Sequence, residues 1–441
     1  MAKPFSEIPL VDVSIFDAAY TRGDLSAVMA QVADEYGPLF RWIASAPEEA
    51  GEMRLSMVGP EANRFVMHTH RQQFSHEIGW AFLINDALGR GLLTMDDPDH
   101  AVHRKMWNPA LSATYMGTYL PIIQRVVEER TSTWPQRGEV DVYAEAREIT
   151  FDVTAALAGF EPGPEVDHLS KLFHTLLHGP ADGMSFQEFM ARFYKTRNQL
   201  FQLLTGMIQQ RRAAGPEEKP RDVLSLIVHA RDDEGQPLTD EQVLGDLNIL
   251  LVAGHETTTT LSAWALYLLS TLPAHRERLL AELASTDPNA GLSIEAIRAY
   301  KQMDIFVRET GRMYPALVNV PRGVVEDVEF AGYTIPKGTI VRLGIGACHY
   351  LPSLWTDPQA FDPDRMSPPR EEDRRVPYSL VTFGGGPRVC IGQHFALLTT
   401  KTLIAHVLRN YRLEPASSEK PIHAGFFNAF IPGGMKMRVS A

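Results

Sequence analysis

The sequence predicts a mainly α-helical protein with small β-sheets, in an α+β arrangement formed by one large domain. Apolar residues recur at helical spacing over most of the 441 residues, whereas strand-like runs are short and lie near the N terminus and after residue 314. Two stretches rich in Pro, Gly and charge, residues 213–220 and 231–237, are each followed at once by renewed helical periodicity. They indicate surface loops rather than linkers, so we expect residues 1–441 to form a single domain.

The elements follow in order along the chain. Helices are predicted at residues 25–36, 114–134, 143–159, 186–212, 221–230, 239–270 and 301–314, with a final helix from about residue 391. Strands are predicted at residues 38–43, 53–58, 328–330, 333–335 and 339–343. The longest helix begins at a capping signal, in which Thr239 is followed three residues later by Gln242. A loop-rich segment, residues 352–377, precedes the final helix.

Composition excludes several classes of function. The chain has 42 Lys and Arg against 54 Asp and Glu, and its formal net charge of −12 argues against nonspecific binding to DNA, RNA or anionic membranes. Cys348 and Cys390 are its two cysteines, so neither a disulfide framework nor a structural zinc site is expected. Without a secretory signal or a run of about 18 apolar residues, we expect a soluble cytoplasmic protein with no membrane anchor.

The segment between Phe383 and Gly392 carries the most chemical information. Three glycines and a proline make a bent loop, and Cys390 follows just before a helical run. There, unpaired N–H groups and the helix dipole should lower the pKa of the thiol and favour metal binding. A glycine turn with an incidental buried cysteine fits the same residues. A phosphate loop and a dinucleotide fingerprint do not fit, because the residues they require are missing.

Phe383, Gly386, Arg388, Cys390 and Gly392 form the pattern Phe-x-x-Gly-x-Arg-x-Cys-x-Gly, which resembles the heme-binding segment of the cytochromes P450. The resemblance implies that fold, with heme b (iron protoporphyrin IX) as the cofactor. It implies that the Cys390 thiolate binds the iron and donates electron density that favours O–O cleavage. Phe383 and Arg388 would also contact the heme.

A second informative segment lies within the longest predicted helix. Ala253 and Gly254 precede the acid Glu256 and four consecutive threonines that begin at Thr257. Threonines are poor helix formers, so they fit either a simple local bend or an opened hydrogen-bond ladder that holds water. A zinc-peptidase motif does not fit, because its second histidine is missing. The resemblance makes Glu256 and Thr257 the acid–alcohol pair that delivers protons, with Ala253 and Gly254 leaving room for the heme.

Basic side chains elsewhere support the resemblance. His100 and Arg104, four residues apart, share one helical face and can both donate to a carboxylate. Any one arginine is explained as well by a solvated surface charge. The resemblance assigns His100, Arg104, Arg322 and Arg388 to the heme propionates.

A structural pair adds to the resemblance. Glu309 and Arg312, spaced i,i+3, would by themselves be a weak surface pair. They match the family's Glu-x-x-Arg pair, whose later partner would be Arg365, in a structural role. The chain departs from the family pattern at residues 349–352, His-Tyr-Leu-Pro, and at Met366. Cys348 is expected in the preceding strand as a buried, inert thiol.

The resemblance implies a monooxygenase that inserts one oxygen atom from O2 into a hydrophobic small molecule. Electrons would come from a small acidic ferredoxin or flavodoxin with its reductase, docking near Arg104, Lys105 and Arg388. A peroxygenase and a heme-thiolate sensor or carrier are alternatives, and the Glu256–Thr257 pair favours neither.

The substrate stays open among fatty acids, terpenes, steroids and polyketides. Three mostly apolar stretches, residues 78–83, 317–320 and 425–430, are expected to line its pocket. Within them, Asn319 and Asn428 can either orient a polar group of the substrate or satisfy a loop backbone.

Overall fold

The structure is a computed structural model, and it describes residues 2–43, 52–80, 84–177, 184–214, 222–285 and 292–441. Its helices are α1 (Ser14–Arg22), α2 (Leu25–Tyr36), α3 (Pro60–Arg64), α4 (His76–Trp80), α5 (Asp86–Leu88), α6 (Asp99–Trp107), α7 (Met116–Thr131), α8 (Trp134–Arg137), α9 (Val142–Leu157), α10 (Pro164–Leu177), α11 (Phe186–Ala213), α12 (Val223–His229), α13 (Asp240–Thr271), α14 (Pro273–Ala284), α15 (Ile294–Ala299), α16 (Lys301–Met313), α17 (Ile345–Cys348), α18 (Glu372–Arg375) and α19 (Gln393–Asn410). Its strands are β1 (Leu39–Ile43), β2 (Met53–Val58), β3 (Phe74–Ser75), β4 (Glu139–Asp141), β5 (Val320–Val324), β6 (Val328–Phe330), β7 (Tyr333–Ile335), β8 (Ile340–Gly344), β9 (Arg412–Pro415) and β10 (Lys436–Ser440).

Helix α13 forms the centre of the helical part. It begins with a capping box, in which the Thr239 hydroxyl accepts from the Gln242 N–H at 3.2 Å and the Gln242 side chain accepts from the Thr239 N–H at 2.8 Å. Its sides pack against α9, α11, α16 and α19, and its residues contribute to the largest apolar core. Because α13 is covered on several sides, polar side chains on it such as Asp246, Asn248 and His255 are buried and need partners within the protein.

The strands form three small sheets. The largest has the order β1-β2-β8-β5-β3, with β2 and β8 parallel and the other neighbours antiparallel. A second sheet, β4-β10-β9, joins the C terminus to the start of α9, and β6 and β7 form a hairpin. The predicted strand-like runs are therefore confirmed, but β5 was missed because Pro321 and Gly323 interrupt its pattern.

The predicted glutamate–arginine group is buried. Glu309 Oε1 lies 2.8 Å from Arg312 Nη2 and 3.0 Å from Arg365 Nε, and all three side chains are 0% exposed. Arg365 also bonds Glu372 at 2.8 Å, and Arg312 donates to the carbonyl of His349 at 2.7 Å. Breaking a buried ion pair leaves an uncompensated charge, so this group holds α16 to the segment at 349–372.

The prediction that Cys348 lies in a strand is wrong. Strand β8 ends at Gly344, and the chain turns into α17, where a Cβ on Gly346 would lie 2.2 Å from the Ser26 hydroxyl. This close approach to α2 leaves no room for an extended strand. Cys348 is buried, and burial raises the pKa of its thiol to about 12, so it is inert as predicted.

Candidate active site

One cavity of about 1330 Å³ brings together the two informative segments of the sequence. Its lining includes Phe383, Arg388 and Cys390 from the loop before α19, and Ala253, Gly254, Glu256 and Thr257 from α13. The predicted basic residues His100, Arg104 and Arg322 also line it. Residues that are more than 280 positions apart in the chain therefore line one cavity.

The loop that carries Cys390 depends on glycine. Gly384 and Gly386 have φ values of +73° and +65°, in the left-handed region that favours glycine. A Cβ on Gly386 would lie 2.2 Å from the Met67 carbonyl oxygen, which is backbone and cannot move aside easily. The Cys390 N–H closes the loop by donating to the carbonyl of Phe383 at 2.8 Å. These constraints direct the Cys390 thiol into the cavity.

The predicted lowering of the Cys390 thiol pKa is wrong for the protein without a bound cofactor. The sulfur faces the cavity but protein atoms surround it, so desolvation raises the pKa of the thiol. The N–H of Gly392, at the start of α19, and the charge of Arg104 oppose that effect without overcoming it. The predicted stabilising groups are present, and burial outweighs them.

Basic side chains gather at the cavity wall next to this loop. Arg104 donates to the carbonyl of Val389 at 2.7 Å, so it also braces the Cys390 loop. Arg388 donates to the Met95 carbonyl at 2.7 Å, and Arg322 to that of Pro321 at 2.6 Å.

Burial and neighbouring positive charge together disfavour the charged forms of Arg322 and His100. Burial and the charge of Arg388 lower the pKa of Arg322 to about 9. The same two effects lower the pKa of His100 to about 4, although His100 lies 3.3 Å from Asp97. The protein's own carboxylates therefore compensate these cations incompletely, which favours an anionic ligand.

His76, which the sequence did not predict as a site residue, belongs to the same cluster. It is buried at the start of α4, lines the cavity, and has its pKa held well below the usual range by burial and by Arg322 and Arg388. Its backbone N–H donates to Asp96 at 2.7 Å. A histidine in a short helix after a two-residue strand gave no periodic signal that would have singled it out.

Helix α13 runs unbroken past the cavity, from Asp240 to Thr271. Each hydroxyl of the four consecutive threonines donates a hydrogen bond to the carbonyl four residues earlier. Thr257, for instance, donates to the Ala253 carbonyl at 2.7 Å. Such bonds satisfy the hydroxyls without interrupting the helix. Gly254 is required by packing, because a Cβ there would lie 2.8 Å from Cγ2 of Thr154 on α9.

Glu256 has partners that sequence analysis did not find. Its Oε1 lies 3.0 Å from Nε2 of His255 and 3.9 Å from Nε of Arg147 on α9. Arg147, Tyr143 and Asp141 line the cavity together with Glu256, and we call this set the polar arm. Tyr143 and Arg147, spaced i,i+4 in a predicted helix, were a weak signal of a shared face.

The predicted substrate stretches are placed in part. Leu317, Val320, Phe427, Asn428 and Phe430 line the cavity, as does Trp80. Ile78 is exposed, and residues 81–83 lie outside the described part of the chain. Asn319 is buried and donates to the Phe426 carbonyl at 2.9 Å, so it supports a loop.

Comparison with known proteins identifies the family. The model of the family "Cytochrome P450" matches residues 6–432. The chain belongs to the cytochrome P450 family. Among solved structures, the retinoic acid bound cyanobacterial CYP120A1 has a TM-score of 0.85 at 24% identity and covers 100% of both chains. The cytochrome P450DA heme domain has the same TM-score and identity, over 100% of this chain and 98% of that one. These structures confirm the predicted fold.

Curated relatives are about as distant. A putative cytochrome P450 120 of Synechocystis is 29% identical over 86% of this chain and 84% of that protein. A sterol 14alpha-demethylase of Mycolicibacterium vanbaalenii is 27% identical over 90% of this chain and 88% of that protein. As a cytochrome P450, the protein is a heme-thiolate monooxygenase that binds heme b and uses O2, a redox partner and hydrophobic substrates. Among the described residues, no helix is long and apolar enough to cross a membrane.

The cavity of this P450 fits heme b chemically. The group would need a soft ligand for iron and cations for two carboxylates, and the cavity offers the Cys390 thiol and the incompletely compensated cluster around Arg322 and Arg388. A bound anion would also offset the burial and the neighbouring charge of Arg388, which together lower the pKa of Arg322.

Proposed function

We propose that residues 1–441 form a single heme domain in which Cys390 binds the iron. His100, Arg104, Arg322 and Arg388 would hold the two propionates, and Phe383, Ala253 and Gly254 would contact the macrocycle. The observation that carries the proposal is the shared cavity, which is lined by Cys390, the basic cluster and the Glu256–Thr257 pair. When bound, heme supplies the iron at which O2 is reduced and activated.

In this proposal the protein's own residues handle the protons. Glu256 is 17% exposed in the polar arm, so it can exchange protons with water there. The Thr257 hydroxyl lies one residue further along α13 and lines the same cavity. Glu256 would give up a proton that Thr257 orients, while the apolar lining keeps bulk water out.

The substrate is proposed to be a large hydrophobic molecule, of the size of a terpenoid or a sterol. The cavity exceeds the usual pocket range of about 300–1,000 Å³, and heme takes part of it. Trp80, Leu317, Phe427 and Phe430 give the remainder an aromatic and aliphatic wall. The names of two similar proteins mention retinoic acid and a sterol. Both are extended, mostly apolar lipids, so this class is the first to test.

Electrons are proposed to come from a ferredoxin or flavodoxin with its reductase. Arg104 and Arg388 lie beside the Cys390 loop, although both also donate to backbone carbonyls. Lys105 is 68% exposed and paired with Asp233, itself 73% exposed. An exposed pair contributes little stability, so Lys105 can exchange Asp233 for an acidic partner.

The two cysteines allow a matched test of the iron ligand. The reduced CO complex of the wild-type protein should show the red-shifted Soret band of thiolate ligation. Cys390→Ala should lose that band, and Cys348→Ala, at the buried inert thiol, should keep it. A band that survives Cys390→Ala would place the ligand elsewhere.

A second test separates a monooxygenase from its alternatives. With a redox partner and a panel of terpenoids and sterols, Thr257→Ala should divert electrons from product to hydrogen peroxide. Thr259→Ala, which removes a hydroxyl outside the cavity lining, is the control and should stay coupled. Product formed from added peroxide but never from O2 and reductant would favour a peroxygenase. No turnover of any substrate, with ligand binding intact, would favour a sensor or carrier.

A further inference from the structure

His255 is a buried titratable group that the proposed proton pathway does not use. Its side chain is 5% exposed and stands edge-on to Phe151, with ring centroids 5.0 Å apart. Both ring nitrogens are engaged: Nδ1 lies 2.5 Å from the Leu251 carbonyl oxygen, and Nε2 lies 3.0 Å from Glu256 Oε1. The imidazole therefore has a fixed orientation and two fixed partners.

The chemistry of those partners determines how many protons the pair holds. A carbonyl oxygen only accepts, so Nδ1 must carry a hydrogen. A neutral imidazole has one N–H, and Nε2 would then direct a lone pair at Glu256. If Glu256 were ionised as well, two acceptors would face each other at 3.0 Å. One further proton removes this conflict, either on Nε2 or on Oε1.

The surroundings determine where that proton rests. From α9, Arg147 places Nε 3.9 Å from the same Oε1, and its guanidinium lies 4.7 Å over the ring of Tyr143. A cation at this distance favours the carboxylate form of Glu256. Arg147 and His255 thus lie on either side of the same carboxylate oxygen. Tyr143 and Asp141 are the other titratable groups of the polar arm.

We propose that His255 and Glu256 share one proton and that His255 thereby keeps the acid of the acid–alcohol pair supplied. This inference rests on the proposed role of Glu256. In the transfer, the Nε2–H bond of His255 breaks as an O–H bond forms on Glu256, which passes that proton towards Thr257. A proton from water in the polar arm then returns through Glu256 to Nε2. His255 acts through Glu256 and is a positioning residue.

The proposal answers a difficulty in the proton pathway. A nearby arginine favours the ionised form of a carboxyl group, and an ionised carboxylate has no proton to give. A histidine placed behind it holds the proton at the pH where a lone carboxyl has lost it. His255 would thus extend the pH range over which Glu256 works.

Coupling of electron use to product tests the functional part. His255→Gln keeps a donor and an acceptor but cannot titrate, so we expect about a tenfold loss of coupling at neutral pH, smaller than the roughly 100-fold effect of losing a direct acid. The loss should grow as pH rises. In the Glu256→Gln background the same change should add nothing, because His255 acts through that residue. Wild-type coupling and an unchanged pH profile in His255→Gln would overturn the proposal.

Nitrogen NMR of the reduced, CO-bound holoprotein labelled at its histidine rings tests the shared proton without turnover. The signal of His255, identified by its loss in His255→Gln, should show Nε2 protonated from about pH 6 to about pH 8. Glu256→Gln should abolish that persistence. An unprotonated Nε2 at neutral pH would overturn the proposal whatever the coupling shows. If Glu256→Gln stays fully coupled while Nε2 is protonated, the proposed proton pathway fails and the shared proton stands.

Discussion

The two segments that meet at the cavity are built in opposite ways. The Cys390 loop is irregular backbone, whose shape is set by Gly384 and Gly386 at positive φ. The α13 segment is a regular helix, and its chemistry depends on side chains that reach it from α9. In the loop a glycine accommodates another backbone, whereas in α13 Gly254 accommodates the side chain of Thr154. An irregular loop therefore fixes its ligand through local residues, and a helix acquires its function through tertiary contacts.

The largest effect should come from adding one carbon to the loop. Gly386→Ala places a Cβ 2.2 Å from the Met67 carbonyl oxygen at a φ of +65°. We expect a loss of about 3 kcal/mol or more in unfolding free energy and weaker heme retention. Gly384→Ala is the matched control, because Gly384 has a similar φ and a Cβ there would lie 3.9 Å from its nearest neighbour, the Arg388 carbonyl oxygen. It should cost about 1–2 kcal/mol. Equal losses in denaturant unfolding would mean that backbone strain, not the contact, matters.

The segment around Glu372, which precedes that loop in the chain, should be destabilised at acidic pH. Burial opposes ionisation of Glu372, yet hydrogen bonds from Arg370, Thr356 and Arg365 lower its pKa to about 2 from an ordinary value of 4.5. A carboxyl with a lowered folded-state pKa stabilises fully above its unfolded value and loses that contribution as pH falls through the folded one. Stability should therefore decline from about pH 4.5 towards pH 2. In thermal unfolding, the Glu372→Gln variant should be less stable than the wild-type protein at neutral pH. Its stability should also change less between about pH 4.5 and pH 2.

Helix α13 should tolerate a Cβ at Gly254 once the neighbouring side chain of Thr154 is made smaller. Gly254→Ala brings a Cβ to 2.8 Å from Cγ2 of Thr154, at a cost of about 1–3 kcal/mol. Thr154→Ser removes that methyl and retains the hydroxyl that donates to the carbonyl of Thr150. The double variant should recover most of the loss, as measured by a double-mutant cycle of unfolding free energies. Simple additivity would contradict the contrast with Gly386, where the obstacle is backbone.

The smallest effect is expected at the surface beside the loop. Lys105→Glu should slow reduction by an acidic partner severalfold at low ionic strength, with the difference shrinking in salt. Asp233→Asn, which releases the same lysine, should leave the rate equal or faster. Stopped-flow reduction across a salt series would measure both, and a salt-independent rate in Lys105→Glu would exclude this site from docking.

Much of the fold and half of the site could be predicted from the sequence, for physical reasons. Long helices such as α13 can be predicted from their periodicity and a capping box. The Cys390 loop can be predicted from the glycines that its backbone requires. Short elements such as β5 could not be predicted, because Pro and Gly hide the pattern. His76 and Arg147 were missed since their roles arise from contacts across the cavity. The pKa of Cys390 was misjudged because burial is a property of the whole fold.

The four consecutive threonines of α13 have a consequence for timing. Each hydroxyl donates to its own helix, so Thr257 has to turn about a single bond before it can donate to anything in the cavity. Such rotations occur in picoseconds to nanoseconds and leave the backbone in place. If Thr257 acts as proposed, its hydroxyl can therefore alternate between bonding the Ala253 carbonyl and donating into the cavity many times within one turnover. In the proposed pathway, proton donation by Thr257 would then be limited by the arrival of a proton and not by motion of the helix.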